Sequence, residues 1–97
     1  MEKTRFFFVV DKAPKTFPDG TIIPPEVTAV FADSGGTECY AHAGQHGACD
    51  PAWIREHTVP AAPEQYMPLL SELRDLVGYD ATAVEVPGEF LPERSVQ

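Results

Sequence analysis

Glu26-Val27-Thr28-Ala29-Val30-Phe31-Ala32, the turn Asp33-Ser34-Gly35-Gly36, and Thr37-Glu38-Cys39-Tyr40-Ala41-His42-Ala43 decide the fold of this chain. Both flanks alternate in the two-residue period of a strand. The glycines between them can adopt the positive φ of a tight turn. Residues 26–43 therefore predict a β-hairpin. In the first strand Val27, Ala29 and Phe31 share one face. In the second, Cys39, Ala41 and Ala43 are small and apolar, as if packed under a helix. Glu38, Tyr40 and His42 take the other face, polar and aromatic, as if toward solvent or a ligand.

Upstream, Arg5 to Asp11 contains Phe6-Phe7-Phe8-Val9-Val10, a strand whose unbroken apolar run suggests cover on both faces. Lys12 to Pro25 is a proline-rich connection, with a turn at Asp19-Gly20 and a short extended piece at Thr21-Ile22-Ile23. Downstream, Gly44-Gln45-His46-Gly47 ends the hairpin as a glycine-flanked loop. Asp50-Pro51 opens a short turn or helical piece through Trp53 and Ile54, which Asp50 can cap. Glu56 to Ala62 reads as a loop. Pro63 to Val77 is a helix, because Tyr66, Leu69, Leu70, Leu73, Leu76 and Val77 fall on one face. Pro68 either kinks it or moves its proper start to near Met67, and Gly78 ends it. Thr82 to Val86 is a fourth strand, and residues 87–97 are a tail anchored by Phe90 and Leu91. The order β-β-β-α-β predicts an α+β fold, a small and largely antiparallel sheet of about four strands with one helix packed on one face.

Ninety-seven residues with 43% hydrophobic content fit a single domain with a core at about 4–86. The net charge is −8. Residues 1–49 hold six acids against four Lys/Arg, and residues 50–97 nine against three. That balance weighs against direct nucleic-acid binding, which needs clustered cations. Five apolar residues after a basic start are too few for a signal peptide or a membrane span, so the expected location is the cytoplasm, without a membrane partner. Two cysteines there are expected to be thiols.

The chemistry concentrates between Cys39 and Cys49. Tyr40 offers a ring, and His42, Gln45 and His46 offer donors and acceptors. Gly44 and Gly47 offer backbone N–H groups of the kind that hold phosphates. Arg55, or Lys12 and Lys15 of a neighbouring chain, could complete such a site, which makes a homo-oligomer conceivable. Cys39, His42, His46 and Cys49 have a compact zinc-ligand spacing, but strand alternation sends Cys39 and His42 to opposite faces. No Gly-x-Ser-x-Gly, His-Glu-x-x-His or phosphate-loop motif is present, and no cofactor is called for. The binding set is therefore Tyr40, His42, Gly44, Gln45, His46, Gly47 and Arg55, with no catalytic residue assigned.

The run Tyr40-Ala-His42-Ala-Gly44-Gln45-His46-Gly47, with Pro63-Glu64-Gln-Tyr66, Leu70-Ser-Glu72-Leu73 and Gly78-Tyr79-Asp80, resembles a family of short uncharacterised proteins of phages and conjugative elements. Their typical form has a Tyr-x-His-x-Gly-Gln-His segment, a Pro-Glu-Glu-Tyr helix start and a Gly-Tyr after the helix. The resemblance spans about residues 27–86; Pro68 departs from it, and Cys49 is outside it. It implies a setting rather than a mechanism. Accessory proteins of mobile elements often counter host immunity, so the expected function is a non-enzymatic anti-defence factor, anti-CRISPR or otherwise, that binds and inhibits a host defence protein. The alternatives are an oligomeric sponge for a nucleotide-derived immune signal and a small His-dependent nucleotide hydrolase.

Overall fold

A computed structural model describes residues 3–41 and 45–91. Among these residues eight strands and two α-helices follow one another: β1 (Thr4–Asp11), β2 (Lys15–Thr16), β3 (Ile22–Ile23), β4 (Val27–Phe31), β5 (Glu38–Ala41), β6 (Gln45–Ala48), α1 (Pro51–His57), β7 (Thr58–Pro60), α2 (Pro63–Glu72) and β8 (Ala81–Ala83). The fold is α+β. Six strands form the main sheet in the order β6-β5-β4-β1-β7, with β8 also on β1, while β2 and β3 make a separate hairpin. All pairings in the main sheet are antiparallel except β1 with β8.

The expected hairpin is β4-β5, registered through Ala29↔Tyr40 and Val30↔Cys39. Its turn is held by one hydroxyl. Ser34 Oγ donates to Phe31 O at 2.8 Å and accepts from the N–H groups of Gly36, Thr37 and Glu38 at 3.1–3.3 Å. Gly36 has φ +92°, and a Cβ there would stand 2.8 Å from Phe90 Cζ. The turn thus needs glycine for both backbone and space.

β1 is central because five consecutive residues, Phe6 to Val10, are buried. Alternate side chains point to opposite faces, so such a run requires cover on both. One core joins Phe6, Phe8, Ala29, Tyr40 and Ala81 to Leu69, Leu70 and Leu73 of α2 and the residues after it. The other joins Phe7, Val9 and Val30 to Ile54 of α1 and to Phe90. Cover on both faces replaces the single helix expected from sequence.

Three other segments differ from expectation. Residues 45–48 are a strand, β6, where a loop was predicted. The predicted loop at Glu56–Ala62 instead completes α1 and then pairs as β7 with Val9–Asp11. The final strand is shorter and earlier than Thr82–Val86, and it runs parallel to Thr4–Phe6. β7 and β8 therefore share one side of β1, end to end.

α2 takes the earlier of its two possible starts. Pro63 is its first residue, and Gln65 Oε1 accepts from Ala62 N–H at 2.8 Å. The helix tolerates Pro68 and then widens to π-type turns over Leu73–Val77. Leu73 O accepts both Gly78 N–H and Tyr79 N–H at 3.0 Å, and Gly78 closes the turn at φ +97°. This closure brings Tyr79 back onto the sheet against Phe6 and Phe31. Beyond β8, Phe90 stacks on Phe7 with a centroid separation of 5.3 Å and is buried, while Leu91 stays exposed.

Candidate functional site

The structure reverses the facing expected along β5. Tyr40 has no exposed surface. It lies in the α2 core, and its hydroxyl donates to Glu72 Oε2 at 2.5 Å. Cys39, expected beneath the long helix, lies half-buried on the opposite face, against α1 and Phe90. The reason is volume. Ala29, directly across from Tyr40, leaves room for a large ring, and α2 supplies a polar partner for its hydroxyl. Tyr40 is therefore a structural residue and not part of an open binding surface.

β6 pairs with β5 through Glu38↔Ala48, Cys39↔Gly47, Tyr40↔His46 and Ala41↔Gln45. His46 consequently shares the α2 face with Tyr40. Its imidazole is exposed, stands edge-on to the Tyr40 ring at 4.9 Å, and lies 3.0 Å from the Tyr79 hydroxyl through Nε2. A groove of about 380 Å³ runs beside it, lined by Phe31, Glu38, Cys39, His46, Gly47 and Tyr79. Tyr79 was not among the residues singled out for binding from sequence. The signal for it was the Gly78-Tyr79 pair after the helix, which marks a residue folded back over the last turn.

The backbone of β6 carries a second kind of chemistry. Cys49 N–H donates to Thr37 O at 2.9 Å. By the alternation of antiparallel ladders, Gly47 and Gln45 also turn their peptide groups toward β5. The N–H and C=O of His46 and Ala48 therefore point away from the sheet. β6 is a terminal strand of that sheet. His46 thus presents both an accessible side chain and an outward-facing peptide group.

The remaining expected site residues are dispersed. His42 and Gly44 lie outside the described residues. Arg55 is exposed on α1, which covers the face opposite His46, so the two do not form one site. Cys39 and Cys49 adjoin each other on the α1 side, whereas His46 is on the α2 side; this separates the cysteines of the suggested zinc set from His46. Among the described residues no group of three or more His, Cys, Asp or Glu could hold a metal ion. The His46 imidazole is partnered at Nε2 by the Tyr79 phenol.

On the α1 side, Asp50 caps α1 by accepting Ala52 N–H at 3.0 Å. The Cys49 thiol is pushed up to about 12 by burial first, then by its hydrogen bond with Cys39 and by the nearby charges. Trp53 is half-buried between two cavities. One, of about 270 Å³, gathers Lys12, Lys15 and His57 with Asp11 around the indole.

No protein family, no curated protein and no solved structure matches this chain. No helix among the described residues is long and apolar enough to cross a membrane.

Proposed function

We propose that this chain is a non-enzymatic binding protein that engages a partner protein by strand addition at β6. The setting we propose is the one the resemblance implies, an accessory protein of a phage or conjugative element acting on a host defence protein in the host cytoplasm. The observation that carries the binding mode is the outward peptide edge of His46 and Ala48 at the end of the sheet. An exposed strand edge is a template for another chain, and proteins commonly blunt it with Lys or Pro. Residues 45–48 contain neither. The opposite side of β1 is less suited, since it is divided between two three-residue strands and includes Pro60, which has no N–H to offer. The net charge of −8 favours a basic partner surface and would speed encounter with it.

The test uses proline as a probe of the edge. Ala48→Pro removes an outward N–H and leaves the β5–β6 ladder intact, as edge prolines do. Gly47→Pro removes an inward one and breaks the ladder. Capture of a host protein by the wild type should be lost in A48P with an unchanged melting temperature. In the complex, the His46 and Ala48 amides should gain protection from hydrogen exchange. Capture that survives A48P would remove β6 from the interface.

One observation favours a second reading, capture of a nucleotide-like molecule. The cavity at Trp53 places Lys12, Lys15 and His57 beside the chain's one indole, in an otherwise acidic protein. Such a ligand would stack on the indole and set its phosphate among the cations. Quenching of Trp53 fluorescence by a nucleotide panel, with the ligand recovered intact after heating, would support this reading. Recovery of altered products would indicate a hydrolase.

A further inference from the structure

Two thiols stand together on the α1 face of the sheet. Cys39 pairs with Gly47, and Cys49 lies two residues further along the same strand direction, bonded through its N–H to Thr37 O. Residues two apart along a strand share a face, so Cys39 and Cys49 are diagonal neighbours. Both thiols are half-buried, and they are not bridged. Together they line a predominantly apolar cavity of about 590 Å³ that Ala41, Asp50 and Trp53 help to enclose.

We infer that Cys39 and Cys49 form a two-thiolate site for a soft monovalent metal ion, copper(I). Thiolates select copper(I) by softness, and the ion accepts few ligands. Zinc requires about four, and the residues around the thiols do not supply them. A disulfide is also poorly matched. Diagonal positions lie roughly 7–8 Å apart at Cα, whereas bridged cysteines lie at about 4.4–6.8 Å. A metal ion between the sulfurs spans that gap without moving either strand. In the step itself, two S–H bonds break and two S–Cu bonds form, and both protons leave to solvent. Copper stays +1, no electron is transferred, and the site gains a single net negative charge. The inference does not depend on strand addition at β6.

The test is an anaerobic titration of the full chain at neutral pH with copper(I) supplied as its bicinchoninate complex. One equivalent should transfer to the protein, quench Trp53, and reduce the thiols open to a disulfide reagent from two to none. Zinc(II) should leave both thiols reactive. Cys39→Ser and Cys49→Ser should each weaken uptake at least as much as the roughly 10–100-fold seen when a mere supporting partner is lost. No transfer, or transfer to the double serine variant, would overturn the assignment. If the serine variants do not fold, the thiol count on the wild type decides: two reactive thiols after loading rule the site out.

Discussion

Tyr40 separates a surface reading of this protein from a packing one, and its truncation gives the sharpest test. The ring has no exposed surface and sits among Phe8, Ala29, Leu69 and Leu73. Truncating a buried aromatic to alanine removes its transfer energy and leaves a cavity, which together cost about 3–5 kcal/mol. A domain of this size has a total stability of about 5–15 kcal/mol. Each kcal/mol moves the melting temperature of a 60–100-residue domain by about 4–8 °C. Tyr40→Ala should therefore lower the midpoint by at least about 12 °C, and at the unfavourable extreme leave little folded protein at 37 °C. Tyr40→Phe keeps the ring and removes only the hydroxyl that meets Glu72, a loss of about 1–3 kcal/mol. The assay is thermal denaturation followed by circular dichroism, with partner capture measured in parallel. The reasoning fails if Tyr40→Ala melts within about 3 °C of the wild type while abolishing capture. That pattern belongs to an exposed contact residue, not to a core one.

Gly20 and Gly36 have nearly identical φ values, +91° and +92°, but only Gly36 faces a neighbour within 4 Å. Gly20→Ala therefore measures backbone strain alone, and Gly36→Ala should cost a further ~1–3 kcal/mol for overpacking against Phe90; equal midpoints in urea would contradict the close approach. Cys49 gives a pH dependence. Its folded pKa is raised above that of the unfolded thiol, so the folded state holds the proton longer, and stability should fall as pH rises from about 9 toward 12. Cys49→Ser should flatten that slope, and a slope of the same size in the variant would assign it elsewhere. His46→Ala should lower the melting temperature by no more than about 12 °C, because a single exposed hydrogen bond contributes about 0.5–1.5 kcal/mol and each kcal/mol is worth about 4–8 °C. A larger drop would make His46 structural rather than an accessible contact.

Much of the fold was legible because its signals are local. The β4-β5 hairpin, the Asp50 cap and the stop at Gly78 each follow from a few adjacent residues, whereas Pro68 left the start of α2 open between Pro63 and Met67. The short strands were not. Thr58–Pro60 and Gln45–Ala48 carry no alternation long enough to recognise, and they become strands only because β1 and β5 offer free edges. This is tertiary context overriding local preference. The facing of β5 is not legible locally, for a different reason. Between Glu38 and His42, Tyr40 reads as part of a polar and aromatic face, although a tyrosine ring is a large apolar group with one polar atom. The information needed to correct it was present in Phe6-Phe7-Phe8-Val9-Val10. A strand buried on both faces cannot belong to a sheet covered on one, so β5's large residue and its thiol each had a core to enter.

That two-sided cover also changes what the Cys39–Cys49 stretch can do. With Tyr40 committed to packing, the chemistry expected of one loop divides between the two faces and the edge of the sheet. The thiols go to the α1 side, and the imidazole goes to the α2 side beside Tyr79. Between them runs a strand whose outer peptide groups belong to the very residue that carries the imidazole. A ligand gripped by side chains alone would need these groups to converge, and the sheet holds them apart. A partner strand laid along β6 would not need convergence. It would take its affinity from the peptide groups of His46 and Ala48 and its selectivity from the His46–Tyr79 groove beside them. The arrangement therefore makes a separable demand: changing His46 should alter which partner is preferred, whereas A48P should abolish binding of every partner that uses the edge.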